Sequence, residues 1–225
     1  MKKIIQTTLF LVFVLSWSSC FDIVEEVKMN NDGTGELKLT IDLSQSKKNL
    51  ANYMKAGEIN GVEIPSKDEV KLEIIKLKQT LSKIKGISNV KTKSDFSEFI
   101  FEVNGDFENV KALNKAINAS AKTFNQTPFP LPKFKHFEYS SNQFSRLFEY
   151  TNERFSEKEY NDFSAVVKYL MESAKVVSIY RFEKPVRKVS NKKANLSPSK
   201  KAVKLEGNIA EFAKGEVTLE NHISF

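Results

Sequence analysis

The stretch DIVEEVKMNNDGTGELKLTIDL, residues 22–43, decides the fold. Its second half alternates strictly, so Leu37, Leu39 and Ile41 point to one side of an extended chain and the polar residues between them point to the other. The NDGT at residues 31–34 is typical of a tight turn, because glycine tolerates a positive φ and aspartate hydrogen-bonds its own backbone. These features predict a β-hairpin with one buried face.

Upstream of this hairpin, the N-terminus has the layout of an export signal. A basic start, MKK, precedes an apolar run over residues 4–15, and the short stretch SWSSC then ends at Cys20. The apolar run is shorter than the roughly 20 residues of a comfortable transmembrane helix. We therefore interpret residues 1–19 as a signal peptide that is removed on export.

Cys20 is the single cysteine of the chain, and it is the predicted site of lipid attachment. The residues before it resemble the motif at which bacteria acylate a cysteine, with Trp17 in place of the usual aliphatic residue; looser motifs of this kind are typical of Bacteroidetes-type envelopes. Each buried methylene of an acyl chain contributes roughly 0.8 kcal/mol, so several chains would hold the protein firmly at a bilayer. The alternatives are an uncleaved anchor and cleavage elsewhere that leaves an incidental thiol.

Downstream of the hairpin, helix-like and strand-like segments alternate. Helices are expected to begin at four polar residues: Ser44, Ser66, Asp106 and Ser156. Strands are expected near residues 90–92, 96–103, 134–140, 143–150, 176–182, 186–189, 202–205 and 216–225. This order predicts an α+β fold, with a mostly antiparallel sheet built from hairpins and amphipathic helices packed on one face.

Three prolines within residues 125–132 indicate a stiff linker and the main internal boundary. Residues 20–124 are the expected N-terminal α+β part and residues 133–225 the C-terminal α+β part, and the two can also form one continuous domain. Large apolar side chains flank the linker: Phe124, Phe129, Leu131, Phe134 and Phe137. They either line a groove for an acyl chain or fill the seam between two halves of the sheet, and the core interpretation is favoured.

The distribution of basic residues is the most informative charge feature. The formal net charge is +7, of which two charges leave with the signal, and this modest excess does not imply a nucleic-acid partner. Nine basic side chains concentrate in one segment: Arg181, Lys184, Arg187, Lys188, Lys192, Lys193, Lys200, Lys201 and Lys204. We interpret this segment as a patch that orients the domain on anionic head groups or binds an acidic envelope partner. The alternative is a solvated loop kept soluble by lysine.

No catalytic, metal or cofactor site is predicted. The DGTG at residues 32–35 lacks the Asp-Thr-Gly order of an aspartic protease, and a calcium loop aligned on its first glycine would have Lys28 in the first ligand position. His136 and His222 are the only histidines, whereas metal sites usually need three or four ligands. The chain has neither a Gly-x-Ser-x-Gly elbow nor a Gly-rich phosphate loop. We therefore expect a protein that is not an enzyme.

Several segments, taken in order, point to one family. Cys20 precedes the strand–turn–strand VKMNNDGTG at residues 27–35, and a later helix ends at Gly86. A Phe-rich strand runs into a helix over residues 99–113, YRFEKPV occupies residues 180–186, and a lysine-rich segment follows over 195–205. This series resembles the LppM-like family of bacterial envelope lipoproteins over most of residues 20–206. The resemblance implies an α+β envelope domain with lipid binding as a theme, and it brings no catalytic residues.

These observations lead to one expectation about function. We expect a lipoprotein held in the cell envelope, with the outer membrane favoured over the inner, that binds a lipid ligand or an envelope protein without catalysis. One alternative is an envelope hydrolase that uses dispersed carboxylates some 5–10 Å apart, at roughly the separation of glycosidase pairs. The other is a purely structural component of the envelope.

Overall fold

The computed structural model describes residues 21–59, 62–123, 135–147, 168 and 171–225. Several predictions fall outside these ranges: the signal over 1–19, Cys20, the linker over 125–132 and the helix after Ser156. Four of the five apolar residues that flank the linker also lie outside them, namely Phe124, Phe129, Leu131 and Phe134. These remain sequence predictions.

The strands are β1 (Phe21–Met29), β2 (Gly35–Asp42), β3 (Glu58–Ile59), β4 (Val62–Glu63), β5 (Ile87–Asp95), β6 (Ile100–Phe107), β7 (Phe137–Ser140), β8 (Gln143–Arg146), β9 (Ala174–Phe182), β10 (Lys188–Val189), β11 (Asn195–Leu196), β12 (Ala202–Asn208) and β13 (Asn221–Ser224). The helices with a full description are α1 (Lys47–Ala56), α2 (Lys67–Ser82), α3 (Val110–Thr123) and α4 (Ile209–Lys214).

Two sheets form the body of the fold. The large sheet has the strand order β11-β12-β9-β1-β2-β6-β5, and the small sheet has the order β10-β13-β8-β7. Each neighbouring pair is antiparallel except β1 and β9, which run parallel. The predicted α+β class with a mostly antiparallel sheet is confirmed. Strands from both sides of the predicted linker share the large sheet.

The opening hairpin forms as the alternation predicts. β1 pairs with β2 from Asp22 opposite Asp42 to Met29 opposite Gly35. In the turn, the Asp32 carboxylate accepts a hydrogen bond of 3.0 Å from the Thr34 backbone N–H. Gly33 has a φ of 88°, a conformation that glycine adopts with little strain.

The main core lies on one face of the large sheet, against α3 and the small sheet. Its buried members are Val27, Met29, Phe107, Ala112, Leu113, Phe137, Phe144, Tyr180, Phe182, Val186, Val203 and Ile223. The Phe144 ring lies 5.5 Å from that of Phe137 and 5.2 Å from that of Tyr180, centroid to centroid. Phe137, the one described residue of the five beside the linker, is therefore a core residue.

A second cluster holds α2 against the sheet. The predicted capping box is present, because Ser66 Oγ accepts from the Glu69 N–H and the Glu69 carboxylate accepts from the Ser66 N–H. Leu77 and Leu81 of this helix are buried against Val103 and neighbouring residues. The helix therefore covers the β6 part of the same face.

Three of the predicted element starts are wrong. Ser44 begins a 3-10 turn, and α1 starts only at Lys47. The strand expected over 96–103 begins at Ile100, because the Asp95 carboxylate accepts backbone bonds from Ser97 and Glu98 and turns the chain. Asp106 belongs to β6 and does not cap α3. Short polar side chains compete for backbone groups in this way at turns and caps.

The remaining differences lie at the caps and near the C-terminus. Asn109 caps α3, since its Oδ1 accepts from the Ala112 N–H at 3.0 Å. The strand expected over residues 216–225 is only Asn221–Ser224, and α4 precedes it. Between α1 and α2, the short strands β3 and β4 pair with each other. Among the helices in the described ranges, none is long and apolar enough to cross a membrane.

The tightest backbone approach gives a stability prediction. A Cβ on Gly35 would lie 2.0 Å from the Lys28 carbonyl oxygen and 2.4 Å from the Phe107 ring. We expect Gly35→Ala to lower the free energy of unfolding by about 3 kcal/mol or more, because a backbone carbonyl cannot move aside cheaply. Gly57→Ala is the control, since its Cβ would meet nothing and only its φ of 74° is strained. Urea unfolding measures both variants, and equal losses of unfolding free energy would contradict this explanation of Gly35.

Candidate functional site

A groove lies between α3 and the edge strand β7. Its volume is about 850 Å³. The lining residues are Val110, Lys111, Asn114, Lys115, Asn118, Lys135, Phe137, Glu138, Tyr139, Ser140, Gln143 and Ser145. The wall from α3 is cationic and amide-rich, and the opposite wall belongs to β7 and β8. A groove of this size accommodates a small ligand.

One asparagine sets the spacing of the two walls. Asn114 Oδ1 accepts from the backbone N–H groups of His136 at 2.7 Å and Phe137 at 2.9 Å, and its Nδ2 donates to the Phe137 carbonyl at 2.8 Å. The helix side chain thus takes the place of a neighbouring strand beside β7. Because three bonds converge on one amide, the start of β7 is held at a fixed distance from α3.

The groove carries more positive than negative charge. Lys111 and Lys115 lie four residues apart on α3, are exposed and form no ion pair with any residue that the structure describes. Lys135 on the opposite wall pairs with Glu138. Like charges at this helical spacing repel weakly, by about 0.2–0.5 kcal/mol. An anionic group between the two α3 lysines would relieve that repulsion.

A buried polar cluster lies behind the groove, between the two sheets. Arg146 Nη2 donates to Glu25 Oε2 at 3.4 Å, and the Tyr180 hydroxyl donates to Glu25 Oε1 at 3.1 Å. The side chains of Arg146 and Glu25 are 7% and 13% exposed. Arg146 also stacks over the Phe137 ring, 4.6 Å from its centroid. A charged pair in this position links β8 of the small sheet to β1 of the large one.

Burial and charge shift the pKa values in this cluster. Burial lowers the pKa of the Arg146 guanidinium, but the Glu25 carboxylate and Tyr180 raise it by more, so the net shift is upward. The pKa of Tyr180 is also raised, first by burial and then by the Glu25 charge. Both side chains therefore stay protonated at neutral pH, and Arg146 remains a permanent cation inside the fold.

His136 connects the buried cluster to the groove. Its Nδ1 lies 3.3 Å from Arg146 Nη1, and its Nε2 lies 3.2 Å from Asn118 Oδ1. Burial, and next the charge of Arg146, lower the pKa of His136 to about 4. The imidazole is therefore neutral at pH 7, accepting from Arg146 and donating to Asn118.

One contact in the structure bears on the alternative of an envelope hydrolase. His222 on β13 lies opposite Ser145 on β8, with Nδ1 2.9 Å from the serine Oγ and Nε2 3.5 Å from Glu220 Oε1. Ser145 Oγ also accepts from Gln143 Nε2 at 3.0 Å, and the residue is only 3% exposed. The hydroxyl is thus engaged in a cross-strand polar row and is not an open nucleophile.

Carboxylates gather in a second, smaller groove of about 400 Å³ on the opposite face of the large sheet. Glu36 pairs with Lys28 at 2.8 Å, Glu26 with Arg181 at 3.2 Å, and Asp106 accepts from Asn89 at 2.6 Å. Each of these carboxylates already has a cation or an amide partner. The arrangement is that of a neutralised sheet surface.

The structure divides the predicted basic segment into three parts. Lys184, Arg187, Lys200 and Lys201 lie on turns at the end of the large sheet where β9 finishes, and Lys188 begins β10 of the small sheet beside them. Lys192 and Lys193 lie on another turn, where the Lys193 ammonium donates to the Glu216 carbonyl at 3.2 Å. Arg181 and Lys204 lie on the outer face of the sheet, where Lys204 pairs with Glu206 at 2.6 Å.

No cluster of three or more His, Cys, Asp or Glu side chains suited to a metal ion occurs in the described part of the chain. Sequence reasoning missed Lys111 and Lys115, whose spacing on an amphipathic helix is ordinary. It also missed Arg146, because nothing in the surrounding sequence indicates that this residue is buried. Cys20 lies outside the described ranges.

Comparisons with known proteins are sparse. No protein-family model matches the chain, and no curated protein matches it. Among solved structures, the chain is similar to the NMR structure of the folded domain of LppM from Mycobacterium tuberculosis. The similarity covers 92% of this chain and 89% of that domain, at 7% sequence identity and a TM-score of 0.42. It is a distant similarity that concerns the fold alone.

The buried ion pair gives a second prediction. Glu25→Gln leaves the Arg146 guanidinium buried without its counter-ion, so we expect a loss of about 3 kcal/mol in the free energy of unfolding. The double variant Glu25→Leu with Arg146→Met should recover most of that loss, because no unpaired charge stays inside. The exposed pair Lys38 and Glu102 is the control, and its removal should change stability by less than about 0.5 kcal/mol. Chemical denaturation of the variants measures each term.

A third prediction concerns acid stability. His136 has a pKa of about 4 in the folded protein, below its ordinary 6.5, so the unfolded chain binds the extra proton first as pH falls. The stabilisation is complete above pH 6.5 and is lost between there and pH 4. We expect the wild type to lose about 2 kcal/mol more than His136→Gln between roughly pH 7 and pH 4.5. Parallel loss in both proteins, measured by urea unfolding at each pH, would rule out this role.

Proposed function

We propose that this protein is a lipid-anchored, non-enzymatic binding domain of the bacterial cell envelope, and that its groove between α3 and β7 holds an anionic amphiphile. The observation that carries the proposal is a pair of lysines, Lys111 and Lys115, that have no ion-pair partner among the described residues and lie on one wall of a groove with room for a small ligand. The outer membrane, favoured over the inner, is part of this proposal.

The chemistry of the groove supports an acidic ligand with an apolar part. Lys111, Lys115 and Lys135 offer ammonium donors, which bind phosphate and carboxylate oxygens by charge-assisted hydrogen bonds. Val110 and Tyr139 add apolar surface at the same place. Glu138, the single carboxylate among the described lining residues, is already paired with Lys135. An anionic head group with an attached chain fits this combination.

The anchor explains why such a groove would be useful. β1 begins at Phe21, one residue after the predicted lipid site at Cys20. Acyl chains on that cysteine would therefore hold the folded sheet close to the bilayer surface. A groove on a domain tethered to a membrane meets the amphiphiles of that membrane at a raised local concentration. Lipid attachment itself is tested by metabolic labelling with a fatty-acid probe, which Cys20→Ala should abolish.

Ligand binding by the groove is the fourth prediction. We expect the purified protein to bind dihexanoyl phosphatidic acid in isothermal titration calorimetry, and Lys111→Gln with Lys115→Gln to weaken binding about tenfold. Glycerol 3-phosphate tests whether the head group suffices, and dihexanoyl phosphatidylcholine tests whether the net negative charge is needed.

The control replaces two exposed lysines that do not line the groove, Lys78→Gln with Lys83→Gln. It removes the same net charge, and its affinity should stay within about twofold of the wild type. Equal weakening in both variants would show that the lysines act only through overall charge. Unchanged binding in the groove variant would mean that the ligand binds elsewhere, and absence of binding by the wild type would favour the purely structural alternative.

A further inference from the structure

Five exposed cations lie together at one end of the large sheet, and we call them the distal basic cluster: Lys184, Arg187, Lys188, Lys200 and Lys201. We propose that this cluster is a docking surface for an acidic segment of another envelope protein, presented away from the bilayer that carries the anchor. The proposal rests on the tether at Cys20 in the proposed function, and it is independent of the groove.

The direction of β1 places the cluster far from the tether. β1 runs through the centre of the sheet from Phe21 to Met29, a span of about 26 Å. Met29 pairs with Phe182, and the cluster lies on the segments that follow Phe182 and precede Ala202, with Lys188 in β10. The field of an anionic bilayer decays over about 8 Å at physiological salt. A cluster at this distance is suited to a partner other than the anchoring bilayer.

Backbone hydrogen bonds hold the cluster in a fixed arrangement. The Val186 N–H donates to the Lys200 carbonyl at 2.7 Å, and the Phe182 N–H donates to the Lys201 carbonyl at 2.9 Å. The Arg187 N–H donates to the Ser224 carbonyl at 2.8 Å, which joins the same turn to the small sheet. Positive charges at fixed positions are suited to a protein partner whose acidic side chains also have fixed positions. Lipid head groups in a fluid bilayer can rearrange, so binding to them does not require fixed charges.

Lys200 occupies a backbone conformation that disfavours it. Its φ is +57°, in the left-handed region that glycine and asparagine adopt most easily. The turn is closed by its N–H, which donates to the Ser197 carbonyl at 2.8 Å. Glycine would adopt this φ with less strain. The lysine therefore places a charge on this turn in spite of the conformational strain of its backbone. A strained residue of this kind points to a functional constraint.

Most charges of the cluster lack a counter-ion in the part of the chain that the structure describes. On the outer face of the sheet, cations pair with carboxylates, as in Lys38 with Glu102 and Lys175 with Glu206. At the distal end, Arg187, Lys188, Lys200 and Lys201 form no ion pair with any residue in the described ranges. Two carboxylates near the cluster, Glu183 and Asp32, accept hydrogen bonds from the Asn31 and Thr34 N–H groups and form no ion pair with its cations in the described ranges.

An exposed apolar side chain beside the cluster favours a protein partner. Leu196 on the edge strand β11 is 39% exposed and directly precedes the turn that carries Lys200. Among the described strands, β11 pairs only with β12, so no described strand covers its other edge. Basic groups around one apolar contact form the kind of mixed surface that protein interfaces use.

The test uses the full acylated protein in phosphatidylcholine nanodiscs and a fluorescent oligoglutamate peptide as the probe. The distal variant combines Lys184→Ser, Arg187→Ser, Lys200→Ser and Lys201→Ser. The matched control combines Lys28→Ser, Lys38→Ser, Lys175→Ser and Lys204→Ser, which removes the same charge from the outer face. We expect the distal variant to weaken peptide binding about tenfold and the control to stay within about twofold.

Three results would overturn the proposal. Equal weakening in the two variants would mean that only overall charge matters. Strong loss of peptide binding on adding phosphatidylglycerol to the nanodiscs would mean that the cluster lies on its own bilayer. Protein that does not remain with the nanodiscs would remove the tether on which the proposal rests. The groove variant Lys111→Gln with Lys115→Gln should bind the peptide normally, so failure of the groove and failure of this surface are separate results.

Discussion

The parallel pairing of β1 with β9 is the constraint on which the rest of the structure depends. Nine residue pairs, from Phe21 with Ala174 to Met29 with Phe182, fix the two strands side by side. A parallel pair cannot be closed by a hairpin, so the chain between the strands must cross from one end of the sheet to the other. That crossing contains α2, α3 and the strands β7 and β8, and it brings the groove onto the core face. The same pairing puts β1, the strand nearest the predicted lipid, in the middle of the sheet.

A buried polar link then fixes the small sheet against the large one. Arg146 reaches across the interface to Glu25, and Tyr180 holds the other carboxylate oxygen. Two neighbouring polar atoms, Arg146 Nε and Ser178 Oγ, are buried without a hydrogen-bond partner in the described structure. Unsatisfied polar groups of this kind cost about 1–3 kcal/mol each, so apolar packing would give the greater stability. The link instead specifies one relative position of the sheets, and through His136 it orients the Asn118 side chain in the groove.

The sequence predicts the local features of this fold well because their causes are local. The alternating residues around NDGT predict the hairpin, and Ser66 with Glu69 predicts the start of α2. Both predictions succeed because each signal involves residues close in the chain. Asn208 and Glu211 form the same capping box at α4, a signal that was present and missed. The burial of Arg146 could not be predicted, because its partner Glu25 is 121 positions away. The alternation of β1 does place Glu25 on the buried face. However, the burial of a carboxylate at that position can be predicted only when its partner is known.

The placement of charge separates surface that serves folding and solubility from surface that is free to bind. On the outer face of the large sheet, Lys28, Lys38 and Arg181 each face a carboxylate on a neighbouring strand, so that face presents little net field. Two groups of cations without an ion pair in the described ranges lie at the groove wall and at the distal end of the sheet, while others, such as Lys78 and Lys83, lie on or just after α2. Solubility alone would be served by spreading those charges, because a uniform excess repels other molecules equally well. One group of positive charges lies beside a concave surface, and the other lies at the distal end of the sheet. Each creates a positive potential where an acidic ligand or partner can approach. The modest net charge of the chain is therefore a weaker guide to function than the positions at which the fold leaves positive charge without a counter-ion.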